Sequence, residues 1–112
     1  MFEKIKGDIL GKDYDLSLAL VNEKKSREIN KKYRKKDKAT NVLSFAFSKN
    51  SGELILCPAL IRKEAKNLGQ TYEEWLGELV IHGMLHLKGF KHGKKMESAE
   101  RRYLSRTKFL SK

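Results

Sequence analysis

Cysteine and proline each occur once in this chain, and long apolar runs do not occur at all. A lone cysteine, Cys57, has no partner for an internal disulfide, which suits a reducing cytoplasm. It ends the apolar run LILC just before Pro58 and is most simply a small buried side chain. No apolar stretch approaches the roughly 18 residues of a membrane span. The opening MFEKIKGDIL also lacks the apolar core of a signal peptide. The chain is therefore expected to be soluble, cytoplasmic and without a membrane partner. Repeats, low-complexity tracts and linkers are absent too, and a length of 112 residues favours one domain, 1–112, over two.

Acidic residues are in deficit. Against 25 Lys and Arg stand 14 Asp and Glu, a formal charge of +11, which favours a polyanionic partner and nucleic acid first. The excess is concentrated: Asn22 to Lys38 holds 9 basic and 3 acidic residues, and Lys88 to Lys112 holds 9 basic and 2 acidic. The rest of the chain is slightly acidic. One lysine-rich helix is ordinarily just a solvated face, but two such blocks, one abutting the histidines, weaken that explanation.

Alternation in DYDLSLALV places Tyr14, Leu16, Leu18 and Leu20 on one face of a half-buried strand, with a weaker strand expected in the first ten residues. NEKKSREINKKYRKK reads as a basic helix capped by Asn22. NVLSFAF and ELILC mark two strands joined by the turn-like KNSG, a hairpin. Pro58 suits the first turn of a helix through ALIRKEAKNL, and Gly69 suits its end. Thr71 and Glu74 form a capping box for a long apolar helix over residues 72–87, stopped by Gly89. KKMESAERRYLSR supplies a last helix with Met96, Ala99, Tyr103 and Leu104 on one face.

All three histidines fall within HGMLHLKGFKH, at positions 82, 86 and 92. His82 and His86, four apart at the edge of the stripe formed by Tyr72, Trp75, Leu76, Leu79, Val80 and Leu87, point the same way from successive helical turns. Gly89 lets the chain turn back so that His92 can join them from a loop. A single histidine on an apolar face is usually just buried. Three at these spacings point to one transition metal, with zinc favoured, and leave a fourth position open for water. The spacing equals that of the metzincin proteases, H-E-x-x-H-x-x-G-x-x-H, but Gly83 stands where those enzymes need a general-base glutamate. Gly83 more simply allows another strand to pack close. Glu78, one turn before His82, is either a carboxylate partner to an imidazole or a surface ion pair.

HGMLHLKGFKH resembles the H-G-x-L-H-L-x-G-Y-D-H signature of the YbeY family of endoribonucleases and rRNA maturation factors. INKKYRKKDKATNVLSFAF and GELILCPALIRKEAKNLG are similar to two further segments of that family, in the same order. The resemblance covers Ile29 to about Glu100. It implies an α+β fold, here a mixed sheet of about four strands packed by helices, with the metal site on the long central helix and the loop after it. It further implies one Zn2+ on His82, His86 and His92, a catalytic arginine at Arg34, and cleavage of single-stranded RNA in 16S rRNA maturation and ribosome quality control. The small ribosomal subunit is then the expected partner. Lys91 and Phe90 replace the signature's Asp and Tyr, Glu78 stands where many members have another His, and Ala39 and Ala46 replace prolines. Lys91 would either weaken the metal or draw substrate phosphate closer. In the expected chemistry, zinc activates water or a phosphoryl oxygen, Arg34 binds the scissile phosphate, and the basic blocks hold flanking phosphates without reading bases. Phe45 and Phe47 are candidates for base stacking or for the core. The alternative is a non-catalytic rRNA-binding assembly factor in which the metal only pins the loop to the helix.

Overall fold

The computed structural model describes residues 2–107. The chain order is α1 (Phe2–Leu10), β1 (Asp15–Leu20), α2 (Glu23–Arg34), β2 (Val42–Ser48), β3 (Ser51–Leu56), α3 (Pro58–Leu68), α4 (Tyr72–Lys88) and α5 (Lys94–Thr107). Helix boundaries follow local chemistry. Asn22 accepts from the Lys25 backbone N–H at 2.8 Å, satisfying a donor that the first turn of α2 leaves free. Pro58 opens α3 and Gly69, at φ 71°, closes it. Thr71 and Glu74 exchange both capping-box bonds, at 3.0 and 2.8 Å.

The first ten residues form a helix, not the weak strand expected from sequence. Ile5 and Ile9, four apart, are buried at 4% and 0% exposure, with Phe2 and Leu10 packed beside them. That is a helical spacing against α4, and the Lys88 ammonium donates to the Ile9 carbonyl at 3.0 Å. The sheet accordingly has three strands rather than about four, in the order β1-β3-β2. It is mixed as expected: β1 runs parallel to β3, and β2 and β3 form an antiparallel hairpin. The hairpin turn is tighter than KNSG suggests, since Ser48 pairs with Ser51.

Strand β3 alternates. Gly52, Leu54 and Leu56 are buried, whereas Ser51, Glu53 and Ile55 are half-buried. The first set faces α4: a Cβ on Gly83 would lie 2.8 Å from Leu54 Cδ2, and Ser44 Oγ donates to the Gly83 carbonyl at 3.2 Å. Gly83 is thus where the sheet meets the helix most closely. Along β1, an edge strand, the expected burial holds at its start, where Tyr14 is 7% exposed and Leu16 packs against the core, but Leu18 and Leu20 remain 47% and 69% exposed. The other sheet face lies beneath α2, where Ile29 and Tyr33 share a groove with Phe45 and Ile55.

The core gathers on α4. Leu79, Val80, Ile81, Met84 and Leu85 are buried together with Ile61 of α3 and Met96 and Ala99 of α5. Burying a side chain of this size stabilises by roughly 1.5–3 kcal/mol, so α4 is among the most firmly held parts of the fold and a rigid base for side chains along its edge. Among the described residues no helix is long and apolar enough to cross a membrane. Lys108 and Lys112, counted in the C-terminal basic block, lie outside the described residues.

Candidate metal centre

His82 and His86 project from successive turns of α4, and their Nε2 atoms lie 3.1 Å apart. Gly89 ends the helix at φ 107°, a left-handed conformation that favours glycine. The turn it allows brings the Phe90 carbonyl within 3.1 Å of His86 Nδ1 and carries His92 back over the other two rings. Ring centroids are 4.6 Å apart for His82 and His86, 4.7 Å for His86 and His92, and 5.2 Å for His82 and His92. One donor nitrogen from each can be chosen so that all lie within 4.8 Å of one another.

Hydrogen bonding behind the rings decides what the cluster can hold. A carbonyl oxygen only accepts, so His86 Nδ1 must donate to Phe90. His82 Nδ1 faces Glu100 Oε2 at 3.0 Å, and an ionised carboxylate likewise only accepts. Both Nε2 atoms therefore carry lone pairs and confront each other at 3.1 Å. Two acceptors at that distance repel unless a cation lies between them. Two nitrogens bound tetrahedrally to one zinc would be about 3.3 Å apart, close to the spacing seen. Burial first, and neighbouring His82 second, lower the His86 pKa below the ordinary imidazole value of 6.5, which keeps it in the neutral form a metal needs. The donor set fits zinc: imidazole nitrogens, a carboxylate behind one and a carbonyl behind another.

The carboxylate behind His82 is Glu100 of α5, and sequence reasoning missed it. Glu78, the candidate named from sequence, instead accepts from the Gln70 side chain. The signal for Glu100 was present: it follows Met96 by four residues and falls within the apolar stripe of α5, where an acid has no packing reason to be.

The histidines open into a cleft of about 590 Å³ whose lining also includes Arg34, Asn41, Phe45, Trp75, Glu78 and Glu100. Arg34 is the last residue of α2. After it Lys35 takes a left-handed conformation at φ 57°, and the loop returns along the helix that it has just left. Ser26, fully buried, bonds Thr40 twice, at 2.7 and 2.9 Å. Asn30 donates to the Lys38 carbonyl at 2.8 Å, and Arg27 Nε meets Asp37 Oδ1 at 2.7 Å. The inward residues of this basic helix are thus partly polar because they bind the returning loop. Just beyond Thr40, Glu64 Oε1 accepts from both Asn41 Nδ2 and Trp75 Nε1, each at 2.9 Å.

Fold and site together define a small α+β protein with a metal-competent cluster of three imidazoles in a cleft that also holds an arginine. The family model "Endoribonuclease YbeY" matches residues 2–109, and the chain belongs to that family. Curated relatives of that name include proteins of Aromatoleum aromaticum, 39% identical over 83% of this chain, and Neisseria meningitidis serogroup B, 44% identical over 70%. The Lactobacillus helveticus relative is 36% identical over 81% of this chain. The chain spans 66%, 53% and 64% of these relatives' own lengths, respectively. The solution structure of TM1509 from Thermotoga maritima is similar with a TM-score of 0.68 and 30% identity, over 93% of this chain and 77% of that one.

Proposed function

We propose that this chain is a single-domain, zinc-dependent endoribonuclease that cleaves single-stranded RNA in the cytoplasm, acting in 16S rRNA maturation with the small ribosomal subunit as partner. The observation that carries the proposal is the meeting of imidazole lone pairs at 3.1 Å in a cleft that also contains Arg34. The name endoribonuclease shared by relatives at 36–44% identity supports the choice of RNA.

His82, His86 and His92 would hold the ion and leave one coordination position open. When bound, zinc supplies Lewis acidity toward a phosphoryl oxygen and makes water more acidic. Glu100 holds His82 in the tautomer whose Nε2 is free, and the Phe90 carbonyl does the same for His86. Arg34 offers two parallel N–H donors to the scissile phosphate and stabilises charge that gathers there during cleavage. Exposed Lys31, Lys32, Lys35, Lys36 and Lys38 attract flanking phosphates without discriminating sequence.

The test is cleavage of defined single-stranded RNAs by wild type and His86→Ala, with zinc measured in both. Wild type should bind about one zinc and cleave, and the variant should lose both properties. Full zinc occupancy in His86→Ala would remove the metal assignment. Zinc-loaded wild type that binds RNA without cutting it would favour the assembly-factor alternative.

A further inference from the structure

The sheet face beneath α2 bears a second groove, of about 510 Å³. Tyr33, Phe45, Phe47 and Ile55 line it, with Lys25 and Lys32 at its α2 side. Two of the rings are open to solvent: Tyr33 is 60% exposed and Phe47 64%. Aromatic side chains dominate core energetics when covered, so two rings this exposed, one of them with the Lys32 ammonium 5.3 Å from its centroid, are better suited to a ligand than to packing. Phe47 sits at the register shift between Ala46 and Ser48, the kind of bulge that re-aims a side chain. Phe45 lines both this groove and the metal cleft, and its ring stands edge-on to Tyr33 with centroids 5.3 Å apart. The two depressions are therefore neighbours with Phe45 between them.

We propose that this second groove is a base-stacking subsite for the single-stranded RNA flanking the scissile bond, with Tyr33 and Phe47 as platforms and Phe45 as the bridge to the cleft. The inference rests on the ribonuclease reading. Flat aromatic faces accept any unpaired base, and the resulting contact is tolerant of sequence. The polar lining sets the orientation of the strand. Glu28 and Glu53 also line the groove; they repel phosphates and can accept from exocyclic base amines. Lys32, above the Tyr33 ring, and Lys25, only 4.0 Å from Glu28 in a solvent-exposed pair that holds it weakly, attract the backbone. The strand thus lies with bases inward and phosphates toward the lysines of α2.

The test uses zinc-loaded protein with Tyr33→Leu, Phe47→Leu and both together, changes that keep apolar bulk and remove the ring. Phe47→Tyr restores a ring and serves as the rescue. Binding is read by stopped-flow anisotropy before cleavage, using a labelled oligonucleotide of about a dozen residues, within the range of known single-strand sites, beside a trinucleotide. Trp75, the chain's one tryptophan, lines the cleft and reports its occupancy independently. Each leucine variant should bind the longer RNA about 10-fold more weakly, Phe47→Tyr should bind like wild type, and trinucleotide quenching of Trp75 should not change. Unchanged affinity for the longer RNA in the double variant, with Trp75 still quenched and RNA still cut, would overturn the subsite and leave the ribonuclease reading standing. Wild type whose Trp75 ignores RNA and which cuts none would sink both. Loss of self-association in the leucine variants, with RNA affinity intact, would assign the groove to a second copy of the chain and overturn the proposal.

Discussion

Replacing Glu100 with glutamine removes one charge at a known distance from a proposed ligand. Glu100 Oε2 lies 3.0 Å from His82 Nδ1, and both side chains are 26% exposed. Loss of such a carboxylate typically costs 10–100-fold in metal affinity. Glutamine retains an oxygen that can accept from Nδ1, so the ring keeps its orientation and tautomer while its Nε2 loses basicity. Partial exposure screens the lost charge. Glu100→Gln should therefore fall near the lower end, about 10-fold or about 1.4 kcal/mol. Glu100→Ala loses orientation as well and should approach 100-fold. Competition for zinc against a chromophoric chelator at neutral pH measures both, with Glu97→Gln, exposed on the same helix, expected to match wild type. Zinc affinity within about twofold of wild type for Glu100→Ala would refute the assigned role, since it would lie well below the usual range.

Two glycines of α4 should respond oppositely to alanine. A Cβ at Gly83 would meet buried Leu54 at 2.8 Å, so overpacking of about 1–3 kcal/mol should outweigh a helix-propensity gain of at most about 1 kcal/mol. Gly77 has nothing within 4 Å of its added Cβ, so Gly77→Ala should stabilise by about 0.5–1 kcal/mol; urea titration that found the same sign for both would contradict the packing of α4 on the sheet. The hydrogen bond from Arg27 holds the Asp37 carboxyl below its ordinary value of 3.8. Because the folded pKa is the lower one, this contribution is full above the unfolded value and disappears as pH falls through the folded value. Asp37→Asn should accordingly flatten the acid limb of stability against pH, and identical acid limbs would show that the pair does not hold the loop. Changing Lys31, Lys35 and Lys36 to Gln should reduce the log–log salt slope of RNA affinity by up to about 2, whereas an unchanged slope would place the RNA away from α2.

Local signals were the most legible in the sequence. Asn22, Pro58, Gly69, Thr71 with Glu74, and Gly89 each stand where the expected cap or stop occurs, because capping depends on a few adjacent residues. The histidine cluster was legible for the same reason: a four-residue helical spacing and one glycine bring the rings together. Errors arose where tertiary placement decides. Phe2, Ile5 and Ile9 have a helical period, but in so short and polar-interrupted a segment it does not stand out from the spacing of a strand. Leu18 and Leu20 alternate as a buried strand would, yet their position on the sheet edge leaves them exposed. Glu100 lies 18 residues from His82; its place in the apolar stripe of α5 marks it as unusual, but only the packing of α5 against α4 shows that His82 is its partner. The polar inward face of α2 was hidden likewise, since Ser26 and Asn30 serve a loop whose path is visible only in three dimensions.

The most direct test of the proposed chemistry is single-turnover cleavage of single-stranded RNA at saturating protein, comparing wild type with Arg34→Lys at matched zinc content. Saturation removes differences in binding, and equal zinc removes differences in the histidine site. Lysine keeps the positive charge but loses the paired donors, so the cleavage rate is expected to fall by roughly 10²-fold, the scale for one preorganised donor. Equal rates would take Arg34 out of the chemistry, and the absence of cleavage by zinc-loaded wild type would contradict the ribonuclease reading itself.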